Sequence, residues 1–245
     1  MIFIRSLLFN ILALTANITF FTLLIPALLL PYDTYMRFIG KNWMRMTLWL
    51  FRHIIGVTHE VRGRKNIPAS GGYIVAAKHQ SAWETMAVAF EFPYPTWILK
   101  RELMWVPIFG WHLKKTEQIP INRGKRSKVM REMNECAHER IRQGRQVMIF
   151  PEGTRRPIGA PPEYKSGIAH VYAELNVLCV PVAHNAGLCW PKRGFLKYPG
   201  KIIMDILPPI PANLDKRVFF ERVQHDIETA SNSLIEEGRA FQAKH

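Results

Sequence analysis

The chain has 245 residues, 48% of them hydrophobic, so it is long enough to bury a full core as one domain with an appendage. Its three cysteines form no C-x-x-C pair and leave an odd thiol, so neither a disulfide framework nor a zinc site is indicated. The formal net charge of +14 indicates an anionic partner, which leaves nucleic acid, acidic lipid headgroups and a phosphorylated substrate open.

The N-terminal segment favours a membrane among these partners. Residues 6–32 carry no charged side chain, and about 20 apolar residues are enough for a spanning helix. Pro26 and Pro31 interrupt the run, and residues 36–52 mix basic with aromatic side chains, which suits a helix at the headgroups. The sequence predicts an apolar helix, a bend and a second, amphipathic helix. It leaves open whether the first helix spans the bilayer or enters one leaflet.

A cleaved signal peptide is the alternative for this segment, because Arg5 gives a short basic start and residues 13–16 include small side chains. The apolar run continues well past any cleavage point there, which favours a retained membrane segment. Lys and Arg are in excess after residue 36, and positive charge favours the cytoplasmic side. We therefore predict a protein of the cytoplasmic membrane with its catalytic domain on the cytoplasmic side.

Beyond residue 60, short β-rich runs alternate with helical patterns. Strands are predicted at residues 72–77, 96–100, 118–122, 146–150, 178–183 and 201–207, and helices at 81–91, 126–143, 167–176 and 215–240. This alternation predicts an α/β fold, a mixed sheet flanked by helices, with functional residues at the strand ends. The predicted division is an N-terminal membrane-associating helical segment, 1–58, and an α/β catalytic domain, 59–245.

One candidate catalytic pair stands between a predicted strand and the next predicted helix. His79 and Glu84 begin and end the segment His-Gln-Ser-Ala-Trp-Glu, at the sheet edge where open α/β folds place ligands. An imidazole can remove a hydroxyl proton, and a carboxylate can hold its tautomer. The alternative is a structural histidine at a helix entrance.

Glu84 has a second interpretation, because residues 81–84 form a capping-box pattern. In that box Ser81 accepts from the backbone N–H of Glu84, and the Glu84 carboxylate accepts from the backbone N–H of Ser81. Both interpretations place Glu84 in the first helical turn, near His79. With the later motifs present, we favour the catalytic role.

Four blocks in this order resemble the glycerolipid acyltransferase family. They are residues 79–84, residues 121–123 (Ile-Asn-Arg), residues 150–155 (Phe-Pro-Glu-Gly-Thr-Arg) and residues 180–182 (Val-Pro-Val). The resemblance implies an acyltransferase-like fold and makes His79 the general base with Glu84 as its partner. The family usually carries Asp at this second position, so the chain differs there by one methylene.

The resemblance also implies where the acceptor binds. It associates the acceptor's phosphate with Lys100, Arg123 and Arg155, and Arg can bind two phosphate oxygens together. It makes Gly153 and Thr154 further substrate-binding positions. For the remaining residue of this block we hold two roles open. Glu152 orders the Pro-Glu-Gly turn or contacts the glycerol hydroxyls.

The implied reaction transfers a fatty acyl group from acyl-CoA or acyl-acyl carrier protein to the sn-2 hydroxyl of 1-acylglycerol-3-phosphate, which gives phosphatidate. The implied partners are membrane lipids, lysophosphatidate and the acyl donor, with no metal, no cofactor and no nucleic acid. Transfer is predicted to be direct, because a thioester is already activated and no nucleophile motif is present. Cys179 lies in an apolar strand pattern and is assigned to the core.

Two alternatives remain. The acceptor is another lysophospholipid or an amino-acid lipid, or the chain is a non-enzymatic, basic, membrane-peripheral binding protein in which His79 and Glu84 only cap a helix. The basic residues are spread through the α/β pattern, and no nucleic-acid motif is evident, which counts against the second alternative.

Overall fold

The computed structural model describes residues 1–121 and 126–244. Within this part, the strands are β1 Val57–Arg62, β2 Tyr73–Ala77, β3 Pro95–Lys100, β4 Ile119–Ile121, β5 Gln146–Ile149, β6 Cys179–His184 and β7 Gly200–Ile206. The α-helices are α1 Ile2–Leu23, α2 Tyr32–Tyr35, α3 Lys41–Leu50, α4 Trp83–Glu91, α5 Phe109–Lys115, α6 Arg126–Arg142, α7 Gly167–Leu175 and α8 Lys216–Lys244. Short 3-10 turns occur at Ile25–Leu29, Arg64–Asn66, Arg101–Trp105 and Ala186–Leu188, and π-helical turns at Met36–Gly40 and Phe51–Ile55.

The strands form one mixed sheet in the order β1-β7-β6-β2-β5-β3-β4. Strands β2 to β6 run parallel, and only the β6–β7 pair is antiparallel, so β1 and β7 point the other way. The carboxyl ends of β2, β3, β4, β5 and β6 therefore meet at one edge, where open α/β sheets bind ligands. The predicted α/β class, with a mixed sheet flanked by helices, is confirmed.

Strand β2 shows why the sheet is buried on both faces. Its residues Tyr-Ile-Val-Ala-Ala alternate between two cores, because successive side chains of a strand point to opposite faces. Tyr73, Val75 and Ala77 pack with α4 and the N-terminal helices, whereas Ile74 and Ala76 pack with α6, α7 and α8. A run without polar residues is typical of a central parallel strand.

The N-terminal helices follow the predicted sequence of helix, proline bend and second helix. The α1 helix is followed by the 3-10 turn that contains Pro26, and the second helix runs from α2 to Ile55 through the two π-helical turns. Gly56, with φ of 84°, ends this second helix in the left-handed region, which glycine adopts without strain. By length and composition, α1 can cross a membrane, which is typical of a membrane-associated protein.

Two elements were missed in the sequence. Strand β1 has only two apolar residues, Val57 and Val61, so it lacks the alternation of a strand, and it lies at the sheet edge, where β7 is its one partner among the described strands. The helix α5 was missed because Pro107 and Gly110 interrupt its apolar run and hide the helical period. This helix matters for the site, because it forms one wall of the cavity described below.

Candidate active site

His79 lies in the turn after β2, two residues beyond the strand. Its ring Nδ1–H donates to Oε1 of Glu84 at 2.9 Å. The same carboxylate oxygen accepts the backbone N–H groups of Gln80 at 3.0 Å and Ser81 at 2.7 Å. One oxygen thus closes the turn and holds the imidazole. The two predicted roles of Glu84 are compatible within a single geometry.

The other half of the predicted capping box differs. The hydroxyl of Ser81 accepts the backbone N–H of Trp83 at 3.1 Å, not that of Glu84. The reason is that α4 begins at Trp83 with Ala82 as its N-cap, so Ser81 stands one residue too early for the box. Ser81 is buried, and its oxygen is held within the turn.

The tautomer of His79 follows from this arrangement. Because Nδ1–H donates to Glu84, the lone pair of a neutral ring lies on Nε2, which is the nitrogen that a general base uses. Burial raises the pKa of Glu84, but the nearby His184 ring, the hydrogen bond from His79 and the N–H of Ser81 lower that pKa more. The net shift is downward, so the buried carboxylate is charged.

His184, at the end of β6, backs the same carboxylate. Its Nε2–H donates to the carbonyl of Lys78 at 2.8 Å, and its Nδ1 accepts the N–H of Ala186 at 3.2 Å. These two bonds fix the neutral tautomer, and burial lowers the pKa of His184. Its Nε2 lies 3.9 Å from Oε2 of Glu84.

Aromatic stacking fixes the plane of the His79 ring. The ring lies parallel to that of Phe150, with centroids 3.8 Å apart and an interplanar angle of 8°. Phe150 in turn stacks on Trp97 at 4.5 Å. Together with the Glu84 hydrogen bond, this stack leaves the imidazole one orientation. Such preorganisation is what proton transfer to a positioned hydroxyl requires.

Glu152 supports this turn from behind. Its carboxylate accepts the backbone N–H of His79 at 2.8 Å and the ammonium of Lys78 at 2.9 Å. Lys78 also donates to Glu228 of α8 at 2.6 Å. Burial raises the pKa of Glu152, although Lys78 lowers it in part. Glu152 is buried and lies outside the cavity lining, so its placement favours the turn-ordering role over contact with the glycerol hydroxyls.

A cavity of about 740 Å³ opens at His79. Its polar end is lined by four of the predicted substrate-binding residues, which are Lys100, Gly153, Thr154 and Arg155. Arg123, the remaining predicted phosphate ligand, lies outside the described residues. Three further basic residues on the lining were not predicted from the sequence, and these are Lys165, Lys192 and Arg193. Their position in the sequence could have indicated this, because they follow strands that end at this edge of the sheet.

Two adjacent arginines show which basic side chain is free for a ligand. The Nε of both side chains is buried without a hydrogen-bond partner, but Arg155 lines the cavity, and no described carboxylate pairs with it. Arg156 lies outside the lining and donates to Glu163 at 3.1 Å and to the carbonyl of Pro161 at 3.2 Å. An unpaired guanidinium beside an imidazole is suited to a phosphate group.

Another part of the cavity lining is apolar, and we call it the apolar arm. The lining there includes Phe21 of α1, Trp43 of α3, and Phe109 and Leu113 of α5. His112 of α5 donates Nε2–H to the carbonyl of Phe21 at 3.0 Å, which ties α5 to α1. This apolar arm was not predicted, because its walls come from segments far apart in the chain.

The described residues contain no group of three or more His, Cys, Asp or Glu side chains that could hold a metal ion. The cysteines are also poorly suited to nucleophilic catalysis. Cys179 and Cys189 are buried, and burial raises the pKa of Cys189 to about 12 and that of Cys179 further. Cys136 is exposed on α6 and does not line the cavity.

Comparison with known proteins identifies the family of this chain. The Acyltransferase family profile matches residues 58–185. The 1-acyl-sn-glycerol-3-phosphate acyltransferase of Pseudomonas aeruginosa is 38% identical over 210 residues, which cover 85% of this chain and 81% of that protein. The human 1-acyl-sn-glycerol-3-phosphate acyltransferase alpha is 29% identical over 80% of this chain and 71% of its own length.

The fold has a counterpart among solved structures. The crystal structure of the 1-acyl-sn-glycerophosphate (LPA) acyltransferase PlsC from Thermotoga maritima superposes with a TM-score of 0.78 at 20% identity, over 96% of this chain and 99% of that one. The family profile spans just over half of the chain, and it contains both His79 and the residue 150–155 loop. The chain therefore belongs to the acyltransferase family.

Proposed function

We propose that this acyltransferase moves a fatty acyl group from a thioester donor to the sn-2 hydroxyl of 1-acylglycerol-3-phosphate and so forms phosphatidate. One observation carries the proposal. The His79–Glu84 pair opens on a cavity with an unpaired arginine and a lysine at one end and an apolar arm at the other. The acceptor in the names of the Pseudomonas and human relatives is the same compound.

In the proposed step, Nε2 of His79 takes the proton of the acceptor hydroxyl while its oxygen attacks the thioester carbonyl carbon. The carbon–sulfur bond then breaks, and the imidazolium returns its proton to the departing thiolate. Glu84 holds the ring through Nδ1–H and stabilises the transient positive charge. The product is an ester and a free thiol, so atoms and charge balance.

The polar end of the cavity is proposed to hold the acceptor's phosphate. Arg155 can bind two phosphate oxygens, and Lys100 adds a second positive charge. Thr154 and the turn at Gly153 complete this end. Arg123 stays part of the proposal from the family resemblance alone. Fixing the phosphate orients the acceptor hydroxyl towards His79, so the reacting groups are already held in position when proton transfer begins.

The apolar arm is proposed to take the acyl chain of the donor, which is acyl-CoA or acyl-acyl carrier protein. A thioester carbonyl is activated, so the acceptor hydroxyl needs only a base. We propose direct transfer, without a covalent acyl-enzyme and without a metal or cofactor. The buried, protonated thiols of Cys179 and Cys189 and the turn-bound hydroxyl of Ser81 support this choice.

We further propose that α1 lies on the membrane surface instead of crossing it. Near its start, Phe9 packs against Phe51 and Trp190 at ring distances of 5.3 Å, and near its end Phe21 lies 5.4 Å from Phe109. A helix held by the protein body at both ends cannot cross the bilayer alone. The excess of Lys and Arg after residue 36 supports a cytoplasmic location, and the division at residues 58 and 59 belongs to the same proposal.

The test is acyl transfer by the purified full chain in detergent micelles. Lysophosphatidate would compete against lysophosphatidylcholine, lysophosphatidylethanolamine and a lyso-amino-acid lipid, with labelled acyl-CoA and acyl-acyl carrier protein offered in turn. We expect phosphatidate as the main product. A preference for a neutral or zwitterionic headgroup would reject the acceptor assignment, and no transfer from either donor would reject the enzymatic assignment.

A further inference from the structure

An exposed apolar patch lies outside the predicted N-terminal membrane segment, in the connection from β3 to β4. We call it the tryptophan patch. Its members and their exposed fractions are Leu103 at 40%, Trp105 at 70%, Val106 at 43% and Trp111 at 49%. Clustered exposed apolar residues mark an interaction surface, whereas scattered ones need no explanation. Neither tryptophan lines the cavity.

The backbone presents this patch beside the apolar arm. On α5, Phe109 and His112 line the cavity, while Trp111 and Lys114 face outwards. The helix is preceded by a tight turn in which Phe109 N–H donates to the carbonyl of Pro107 at 2.6 Å and Ile108 has φ of 66°. A β-branched residue is strained there, and such strain is concentrated at functional sites.

The helix that carries Trp111, α5, lies beside the end of α1. Phe21 contacts Phe109 and His112, with ring centroids 5.4 and 4.8 Å apart, so the end of α1 and the start of α5 are neighbours. The outward residues of α1 that remain exposed include Ile11, Leu14 and Ile18. Leu103 belongs both to the patch and to the cavity lining. Leu103 therefore brings the patch up to the cavity lining.

We propose that the tryptophan patch is a second membrane contact, inserted at the headgroup level of an anionic bilayer beside α1. The proposal rests on the proposed function at a membrane. Tryptophan is favoured at this level because its ring is apolar and its N–H is polar. The exposed Lys114, on the same helix as Trp111, matches anionic headgroups. This contact places the cavity beside the bilayer that holds the acceptor.

The first experiment measures insertion with an environment-sensitive fluorophore on one cysteine. Cys136→Ser removes the exposed thiol, and Cys179 and Cys189 are buried. Val106→Cys places the probe in the patch without removing a tryptophan. Val218→Cys is the matched control, because Val218 is 52% exposed on α8, away from α1 and α5. Vesicles of phosphatidylglycerol and phosphatidylcholine would carry spin-labelled phospholipid as quencher.

We expect the probe at Val106 to shift to the blue and to be quenched by the spin-labelled lipid, and the probe at Val218 to remain aqueous. A third probe, at Leu14→Cys, reports on α1, which is 62% exposed at that residue. If the Leu14 probe is quenched and the Val106 probe behaves like the Val218 probe, the patch proposal is overturned while the proposed function stands. If the unmodified protein shows no acyl transfer in detergent, the proposed function is rejected, and the result says nothing against the membrane contact of the patch.

A second copy of the chain is the other possible occupant, and the same samples identify it. A Val106 probe that is blue-shifted without vesicles, in protein that sediments as a dimer, would overturn the membrane proposal. A double variant, Trp105→Ser with Trp111→Ser, adds a functional readout. We expect vesicle binding to weaken by about tenfold and transfer in detergent to stay within about twofold. Equal losses in both assays would show that the patch supports the fold or the site instead.

Discussion

The two turns at the polar end of the cavity, residues 78–84 after β2 and residues 150–156 after β5, each contain a buried glutamate that is bonded to His79. Glu84 accepts from the ring, whereas Glu152 accepts from the backbone N–H. Glu84 also closes its own turn, while Glu152 pairs with Lys78 and reaches α8 through it. The Glu84 carboxylate contacts the imidazole that transfers the proton, and the Glu152 carboxylate contacts the backbone of the same histidine.

The difference separates chemistry from position. A negative charge on the ring side favours the imidazolium that forms during proton transfer, so the charge of Glu84 acts on the rate. A carboxylate on the backbone side holds the turn in place, so Glu152 acts on the folded state. The pKa directions agree with this division, because that of Glu84 is lowered and that of Glu152 is raised.

The largest effect is expected at the residue that both turns serve. His79→Ala should lower kcat by about 10²- to 10⁴-fold, because it removes the general base. The ring is mostly buried against Phe150, so the variant should also lose stability, and its rate has to be compared for the folded protein alone. Steady-state transfer, normalised to the folded fraction from circular dichroism, measures the effect. Near-normal turnover in the folded variant would end the base assignment.

The matched variants Glu84→Gln and Glu152→Gln test most directly whether the two glutamates have different roles. Glutamine keeps an acceptor oxygen in both turns but removes the charge. We expect Glu84→Gln to lower kcat on the order of 10²-fold or more. Glu152→Gln should instead cost about 1–3 kcal/mol of unfolding free energy, because one carboxylate oxygen that accepts a buried hydrogen bond is replaced by an NH2 group facing the Lys78 ammonium or the backbone N–H of His79.

Kinetics and urea unfolding of both variants decide the outcome. Folded Glu152→Gln protein should retain most of its turnover. If Glu84→Gln keeps full activity, Glu84 is a helix cap and leaves the catalytic pair. If both variants lose rate equally at equal stability, the division of roles between the two turns is wrong.

The adjacent arginines sharpen the account of the second turn. Arg155→Gln should lower kcat/KM for lysophosphatidate about ten- to hundredfold, which corresponds to the loss of a charge-assisted hydrogen bond. Arg156→Gln should stay within about twofold, because its partners are a surface glutamate and a carbonyl. Competition by inorganic phosphate should weaken only in the Arg155 variant. Similar losses in both variants would exclude a specific phosphate role.

The smallest effect is a difference in pH dependence. The pKa of Glu84 is lower in the folded state, so its stabilisation is present above the ordinary carboxyl range and is lost as pH falls. The pKa of Glu152 is higher in the folded state, so its contribution is greatest below that range and is lost as pH rises. Between about pH 4 and pH 7, the destabilisation by Glu84→Gln should grow, and that by Glu152→Gln should shrink. Parallel urea-unfolding profiles would contradict the assigned shifts.

Much of the sheet could be predicted, because its signals are local. The uninterrupted apolar run of β2, the helical period of α6 and Gly144 after its end, with φ of 74°, each depend on a few neighbouring residues. The motif positions His79 and Arg155 then met at one edge because parallel strands share a carboxyl end.

The unpredicted features depend on long-range packing. Whether Glu152 faces the cavity or the backbone is decided by Lys78 and Glu228, which lie 150 residues apart in the chain. The apolar arm needs α1 and α5 side by side, and no periodicity in either segment encodes that contact. The sequence identified the side chains that are suited to catalysis or to phosphate binding, and the fold decides which of them face the cavity.

The most direct test of the central claim is to mix the enzyme with labelled acyl donor alone and to examine the denatured protein by mass spectrometry. If His79 activates the acceptor hydroxyl, no acyl adduct forms, and thiol is released only after lysophosphatidate is added. Ser81→Ala should then cost about 1 kcal/mol of stability and leave turnover intact, because its hydroxyl only supports the turn. A stoichiometric, chemically competent acyl adduct on Ser81, Cys179 or any other side chain would contradict the account and make His79 the activator of that nucleophile.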